Sequence, residues 1–248
     1  MTRLLTLGKC AYCSGSFSGT IMARHLESCK VRHASPSSQS RDREYILLRN
    51  NNKNNNKNNN TAQHHIVYLL KVSSKYFSEY WLFMEADGMC KLEDIDSFLR
   101  DMWLECCGHL SCFTINSQRY EIQPDPWFSS RSMRVKLNKI LEPGMIFEYV
   151  YDFGSSTELI LKVISGRLGK IKKGRKPIRL VARNDPILFE CHTCKEATAT
   201  NICSICRSER SIKQASFCGN CLKLHECGED MALPIVNSPR SGECGYTG

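Results

Sequence analysis

Cysteine and histidine recur in this chain at spacings suited to gripping a metal ion. Near the start stand Cys10 and Cys13, two residues between them, followed by His25 and Cys29. Toward the end come Cys191 with Cys194, Cys203 with Cys206, and Cys218 with Cys221, each pair again split by two residues, then His225 and Cys227. A pair at that spacing can chelate one ion, and thiolate with imidazole is the donor set of tetrahedral zinc. The chain has 15 cysteines in 248 residues. In a small exported protein such a count would imply disulfides, but the opening MTRLLTLGKCAYC has no apolar stretch of signal-peptide length, so reduced thiolates on metal are expected.

The spacings define sites. Cys10, Cys13, His25 and Cys29 fit a small Cys3His finger: His25 and Cys29, four apart, share one helical face. Phe17 and Met22 occupy the positions of a finger's miniature core, and His33 is a rival for the fourth ligand. The tail carries eight ligands, enough for two closed tetrahedra, which successive pairs or crossing pairs could fill. Crossing is favoured, because only eight residues separate the first two pairs and His225 and Cys227 crowd close behind Cys221. One ion then takes Cys191, Cys194, Cys218 and Cys221. The other takes Cys203, Cys206, His225 and Cys227, with Cys244 as an alternative ligand. About three zinc ions per chain follow, all of the closed, structural kind. Cys106, Cys107 and His109 in WLECCGHLSCF also look metal-like, but adjacent cysteines point in different directions, and core packing at a helix end is the preferred reading.

The elements that position these ligands fall into four segments. Residues 1–33 form the finger and residues 34–63 a Ser/Asn-rich linker containing RNNNKNNNKNNNT, a composition that cannot bury a core. Residues 64–185 form an α+β core and residues 186–248 the cysteine-rich module. Within the core, HHIVYLLKV and EYWLFMEA read as strands. KLEDIDSFLRDMWLECC places Leu92, Ile95, Phe98, Leu99, Met102 and Trp103 at helical spacing, with Glu93, Asp94 and Asp96 near the favourable N-terminal end. SCFTIN reads as another strand. FEYVYDF and TELILKVI alternate as a hairpin about GSS, and IRLVA as a short strand. The expected architecture is a small mixed or antiparallel sheet with one main amphipathic helix, opening β-β-α-β and closing with the hairpin, flanked by the two zinc modules.

LEDIDSFLRDMWLECCGHLSCF and FEYVYDFGSSTELILKV together resemble the Ri-plasmid ORF-three-like family, insertion-element passenger proteins that carry a TnpR-like label. The resemblance covers roughly residues 64–183 and centres on Tyr151, Asp152, Phe153 and Gly154 of the YDFG motif. The closing NSPRSGECGYTG and the cysteine tail are similar to a zinc-bearing branch. The resemblance implies a compact α+β sheet and a mobile-element setting, with no established reaction. Many members follow YDFG with a tryptophan and then a histidine, where this chain has Thr157 and Leu159. Neither the serine-and-arginine set of a serine recombinase nor a tyrosine-recombinase constellation is legible.

No stretch approaches the roughly 20 apolar residues that a spanning helix needs, so a cytoplasmic protein without membrane association is expected. The formal charge of +9 is partly illusory: ten thiolates against three dications lower it to about +5. The basic run RLGKIKKGRKPIR offers Lys170, Lys172, Lys173, Arg175 and Lys176 for nucleic-acid phosphates. No nucleotide loop, HExxH helix or GxSxG elbow occurs. Asp152 lacks a legible acid-base partner and is read as a turn residue bonding backbone amides. The leading expectation is a non-enzymatic zinc-binding adaptor with a protein partner. A DNA-binding accessory of a mobile element, and an enzyme of unknown reaction around YDFG, are the alternatives.

Overall fold

The computed structural model describes residues 5–34, 65–124, 127, 129–169 and 176–248. The Asn-rich part of the expected linker, and Lys170, Lys172, Lys173 and Arg175, lie outside the described residues. In chain order the strands are β1 Leu7–Cys10, β2 Ser16–Ser18, β3 His65–Ser74, β4 Trp81–Asp87, β5 Ser111–Ile115, β6 Gln118–Glu121, β7 Arg131–Ser132, β8 Ile146–Tyr151, β9 Thr157–Gly169 and β10 Ile178–Asn184. Three more follow: β11 Asn201–Cys203, β12 Ser216–Phe217 and β13 Ala232–Pro234. The first ten form one sheet in the order β2-β1-β10-β4-β3-β9-β8-β5-β6-β7, and the last three a second in the order β12-β11-β13.

The fold is α+β, but the main sheet is ten-stranded rather than small. The excess comes from both edges. At one edge the hairpin β1–β2 pairs antiparallel with β10, Gly8 standing opposite Asn184. At the other, β6 pairs antiparallel with β5 and β7 runs parallel to β6. These strands are two to four residues long, too short for a period-two pattern to stand out in the sequence. The long pairings β3–β4, β3–β9 and β4–β10 are antiparallel and lie where HHIVYLLKV, EYWLFMEA, TELILKVI and IRLVA predict strands.

The helix Leu92–Leu99 buries Leu92, Ile95 and Leu99, and Asp94 accepts the backbone N–H of Lys91 at 2.7 Å at its start. Its continuation Arg100–Leu104 is a π turn, which takes an extra residue per turn and so shifts the buried face to Trp103 and Leu104. Of the expected stripe, Phe98 and Met102 are only half-buried.

The chain divides into two units. One comprises Met1–Phe98, Cys112–Tyr149 and Leu159–Asn184, the other Leu99–Ser111, Val150–Glu158 and Asp185–Gly248. In the first, β4 is buried at every position, including Glu85. That carboxylate is compensated by Arg32 at 2.9 Å, Arg179 at 2.8 Å, Arg167 at 3.1 Å and the Tyr12 hydroxyl at 2.7 Å, as a buried charge must be. Tyr12 and Arg32 belong to the N-terminal segment, so the same carboxylate ties that segment to the sheet. Gly8 marks the close approach, since a Cβ there would collide with the Arg183 carbonyl oxygen. Among the described residues no helix is long and apolar enough to cross a membrane.

Candidate metal centres

In the N-terminal segment, Cys10 ends β1 and Cys13 sits in the turn behind it. The turn is a knuckle: Ser14 N–H donates to Cys10 O at 2.8 Å and Cys10 N–H to Gly15 O at 2.9 Å, with Ser14 in the left-handed region at φ 61°. The helix Gly19–Ser28 brings His25 alongside, and Cys29 follows its end. Cys13 Sγ lies 3.2 Å from His25 Nε2, and Phe17 stacks on the imidazole with ring centroids 4.1 Å apart. Met22 and Leu26 are fully buried beneath. His33 Nε2 instead faces the Glu27 carbonyl at 2.6 Å. The four atoms of Cys10, Cys13, His25 and Cys29 all lie within 4.8 Å of one another.

The C-terminal module repeats this chemistry. Cys191 and Cys194 form a second knuckle, with Lys195 N–H on Cys191 O at 3.1 Å and Lys195 at φ 61°. The other two pairs use helix starts. Cys203 caps the helix Ser204–Glu209, its sulfur accepting from Cys206 N at 3.5 Å, and Cys218 stands before the short helix Gly219–Leu222 that carries Cys221. Positions three apart share a helix face, so both sulfurs of each pair point the same way. The first and third pairs converge, Cys191 and Cys194 with Cys218 and Cys221, and the second pair meets His225 and Cys227. Phe217 packs on His225 at 4.2 Å between ring centroids, the same aromatic-to-imidazole support eight residues ahead of the histidine that Phe17 gives His25. A small core of Phe189, Ile202, Ile212, Ala215 and Leu222 surrounds the sulfurs.

The spacings can be judged against a tetrahedron. Sulfur at about 2.3 Å and nitrogen at about 2.0 Å from a common ion place two sulfurs about 3.8 Å apart and a sulfur and a nitrogen about 3.5 Å apart. Cys206 Sγ lies 3.9 Å from Cys227 Sγ and 3.4 Å from His225 Nε2. The electrostatics agree with a site for a cation. Burial alone would raise the Cys191 thiol, but N–H groups of Cys218, Cys194 and Thr193 pull it down to about 6. Cys206 is pushed up to about 12 by burial and by the neighbouring sulfurs of Cys203 and Cys227, and Cys221 to about 12 by its partner Cys218 first and by burial next. Sulfurs crowded in this way oppose one another's ionisation, and a coordinated dication removes the conflict because a ligating thiol is deprotonated outright.

A fourth set corrects the core-packing reading of Cys106 and Cys107. Cys107 is exposed and Cys106 only half-buried. With His109 and Cys244 they form another group whose donor atoms all lie within 4.8 Å. Cys244 therefore stands with Cys106, Cys107 and His109, not with Cys203 and Cys206. The signal available in the sequence was an accounting one: a CCxH run short of one thiol, and a tail cysteine without a pair.

Asp152 closes a turn. Its Oδ1 accepts the Gly154 N–H at 2.9 Å, the backbone-amide bond expected of it, while Oδ2 takes the buried Arg240 guanidinium at 2.7 Å and lies 3.4 Å from His109 Nε2. Burial works against its ionised form, but Arg240, Gly154 N–H and His109 outweigh this and hold the carboxyl below its ordinary value. Arg240 itself was not legible as a buried residue. Lys176, of the basic run, is exposed.

No family model matches the chain, and no curated protein does. Among solved structures it is similar to a protein of unknown function from Methanosarcina mazei Go1, at 19% identity and a TM-score of 0.42, over 48% of this chain and 69% of that one.

Proposed function

We propose that the protein is a non-enzymatic adaptor, an α+β core of the ORF-three-like kind whose zinc-bound modules present a rigid surface to a protein partner. The observation that carries this reading is the position of Leu224. It is 88% exposed in the short loop between Cys221, of one cysteine set, and His225, of the other. A loop clamped at both ends by separate ions loses little entropy on binding, and an apolar side chain held outward on it is suited to a partner's pocket. Closed four-ligand sets leave no coordination position for substrate. Both oxygens of Asp152 are engaged, which disfavours it as a free acid or base.

The test is capture of partners from native lysate by the zinc-loaded chain, by Leu224→Asp, and by chelated protein. The reading expects a specific set of proteins held by the first and lost from the other two. Equal capture by all three would overturn it, as would steeply salt-dependent retention on DNA with no protein partner, which is the electrostatic signature of nucleic-acid binding.

A further inference from the structure

Thirteen of the 15 cysteines fall within the four Cys/His groups, and one of those groups has no CxxC pair in it. We propose that Cys106, Cys107, His109 and Cys244 form a fourth metal site, for a thiophilic divalent cation such as zinc, and that the ion clasps the C-terminal segment against the loop after Leu104. The proposal shares thiolate and imidazole chemistry with the three sites of the adaptor reading but stands or falls separately.

The distances are those of ligands around a common centre. Cys107 Sγ lies 3.6 Å from Cys106 Sγ and 3.8 Å from Cys244 Sγ, against about 3.8 Å for two sulfurs on one tetrahedral ion. His109 Nε2 lies 2.9 Å from Cys107 Sγ and 3.1 Å from Cys244 Sγ, so all three sulfurs and the nitrogen enclose one small volume. Packing does not account for this gathering, because Cys107 and Cys244 are exposed and gain nothing from burial.

The backbone bends to make the set. The chain bends at Cys106 and Cys107, and Gly108 follows at φ 77°, a left-handed conformation open to glycine, so that adjacent cysteines and the following histidine face one point. Cys244 adopts φ 45°, a left-handed conformation that is unfavourable for a non-glycine residue and persists where the surroundings over-determine it. The segment is also anchored nearby: Ser238 Oγ donates to Trp103 O at 2.6 Å, and Arg240 donates to Ser155 O at 3.0 Å. Arg240 Nη2 further donates to Cys106 Sγ at 3.4 Å as well as to Asp152. Three thiolates on a dication carry one net negative charge, and a guanidinium bonded to one sulfur is the outer partner such a site calls for.

The site differs from the other three in one physical respect. Each of those has at least two buried ligands, whereas this one has none. A chelator in solution therefore reaches its ion first.

The experiment uses the full chain loaded with zinc, probed by native mass spectrometry and by mapping cysteine alkylation with and without a graded amount of EDTA. The expected result is that Cys107→Ser and Cys244→Ser each bind one zinc fewer than the wild type, with the other zinc ions retained. In the wild type, alkylation at Cys107 and Cys244 is suppressed by zinc and restored by EDTA before that at Cys13, Cys194 or Cys221. The wild-type labelling keeps the test decisive even if a variant fails to fold. Unchanged stoichiometry in both variants, or labelling of Cys107 and Cys244 insensitive to zinc, would overturn the proposal. So would a disulfide linking Cys107 to Cys244 or to Cys106 in protein prepared under reducing conditions. Failure of the three CxxC-based sites would be read independently, at Cys13 for the first, at Cys194 and Cys221 for the second and at Cys227 for the third.

Discussion

Arg240 and Asp152, 88 residues apart in the chain, meet as an ion pair at 2.7 Å, and neither side chain is more than 7% exposed. The YDFG motif is thereby tied to the closing segment of the protein, and Arg240 also lies over the Tyr151 ring at 4.8 Å. Removing one partner of such a pair leaves a buried charge uncompensated, a loss of about 3–5 kcal/mol. Arg240→Met and Asp152→Asn are each expected to lower stability by that order in urea unfolding. The double variant, with both charges gone, is expected to recover part of it. Single variants within about 0.5 kcal/mol of wild type, the range of ordinary surface changes, would mean that the pair is solvated in solution.

Glu85 carries the corresponding burden in the sheet. It is 5% exposed and faces Arg32, Arg167 and Arg179. Glu85→Gln keeps the shape and removes the charge, so the guanidinium groups crowd a neutral amide. The expected outcome is a destabilisation of several kcal/mol, accompanied by earlier proteolysis in the helix Lys30–Ala34, which Arg32 pins. A variant with wild-type melting and an equally resistant N-terminal segment would contradict this.

The opening of β9 and the helix Leu92–Leu99 were legible because each buries an apolar stripe long enough to show its period, and β3 and β4, the latter buried at every position, because they are runs of apolar, β-branched and aromatic residues. The edge strands were not, because Leu7–Cys10 and Gln118–Glu121 are held by backbone pairing to a neighbour and not by a pattern of their own. Ligand spacing proved equally local. Cysteines with two residues between them announce themselves, whereas the group of Cys106, Cys107, His109 and Cys244 depends on a chain separation of 135 residues between His109 and Cys244. Glu85 and Arg240, charged residues that are buried, have no sequence signature until their partners are known.

The crossing of the C-terminal pairs makes a prediction that successive pairing does not. His225 stands with Cys203, Cys206 and Cys227. In zinc-loaded His225→Ala, alkylation is therefore expected to rise at Cys203 and Cys206, while Cys191, Cys194, Cys218 and Cys221 stay protected. Successive pairing would instead unmask Cys218 and Cys221, the pair that precedes His225 in the chain.

Cys90 and Cys112 are the cysteines outside all four sets, and they are 8% and 2% exposed. For Cys90, burial pushes the thiol up, and the carboxylates of Asp94 and Asp87 add to it; for Cys112, burial again leads. Both should resist alkylation in the folded chain even after complete chelation, reacting only in denaturant. The same shift fixes a pH dependence. Above about pH 8.5 an unfolded thiol ionises while these stay protonated in the fold, so the unfolded chain binds fewer protons and stability falls as pH rises. Each thiol contributes a slope of about 1.4 kcal/mol per pH unit until its folded form ionises too. Cys90→Ala is expected to flatten that decline in unfolding measurements between about pH 9 and 10.5, at the cost of a small cavity. An unchanged slope would place Cys90 in contact with water.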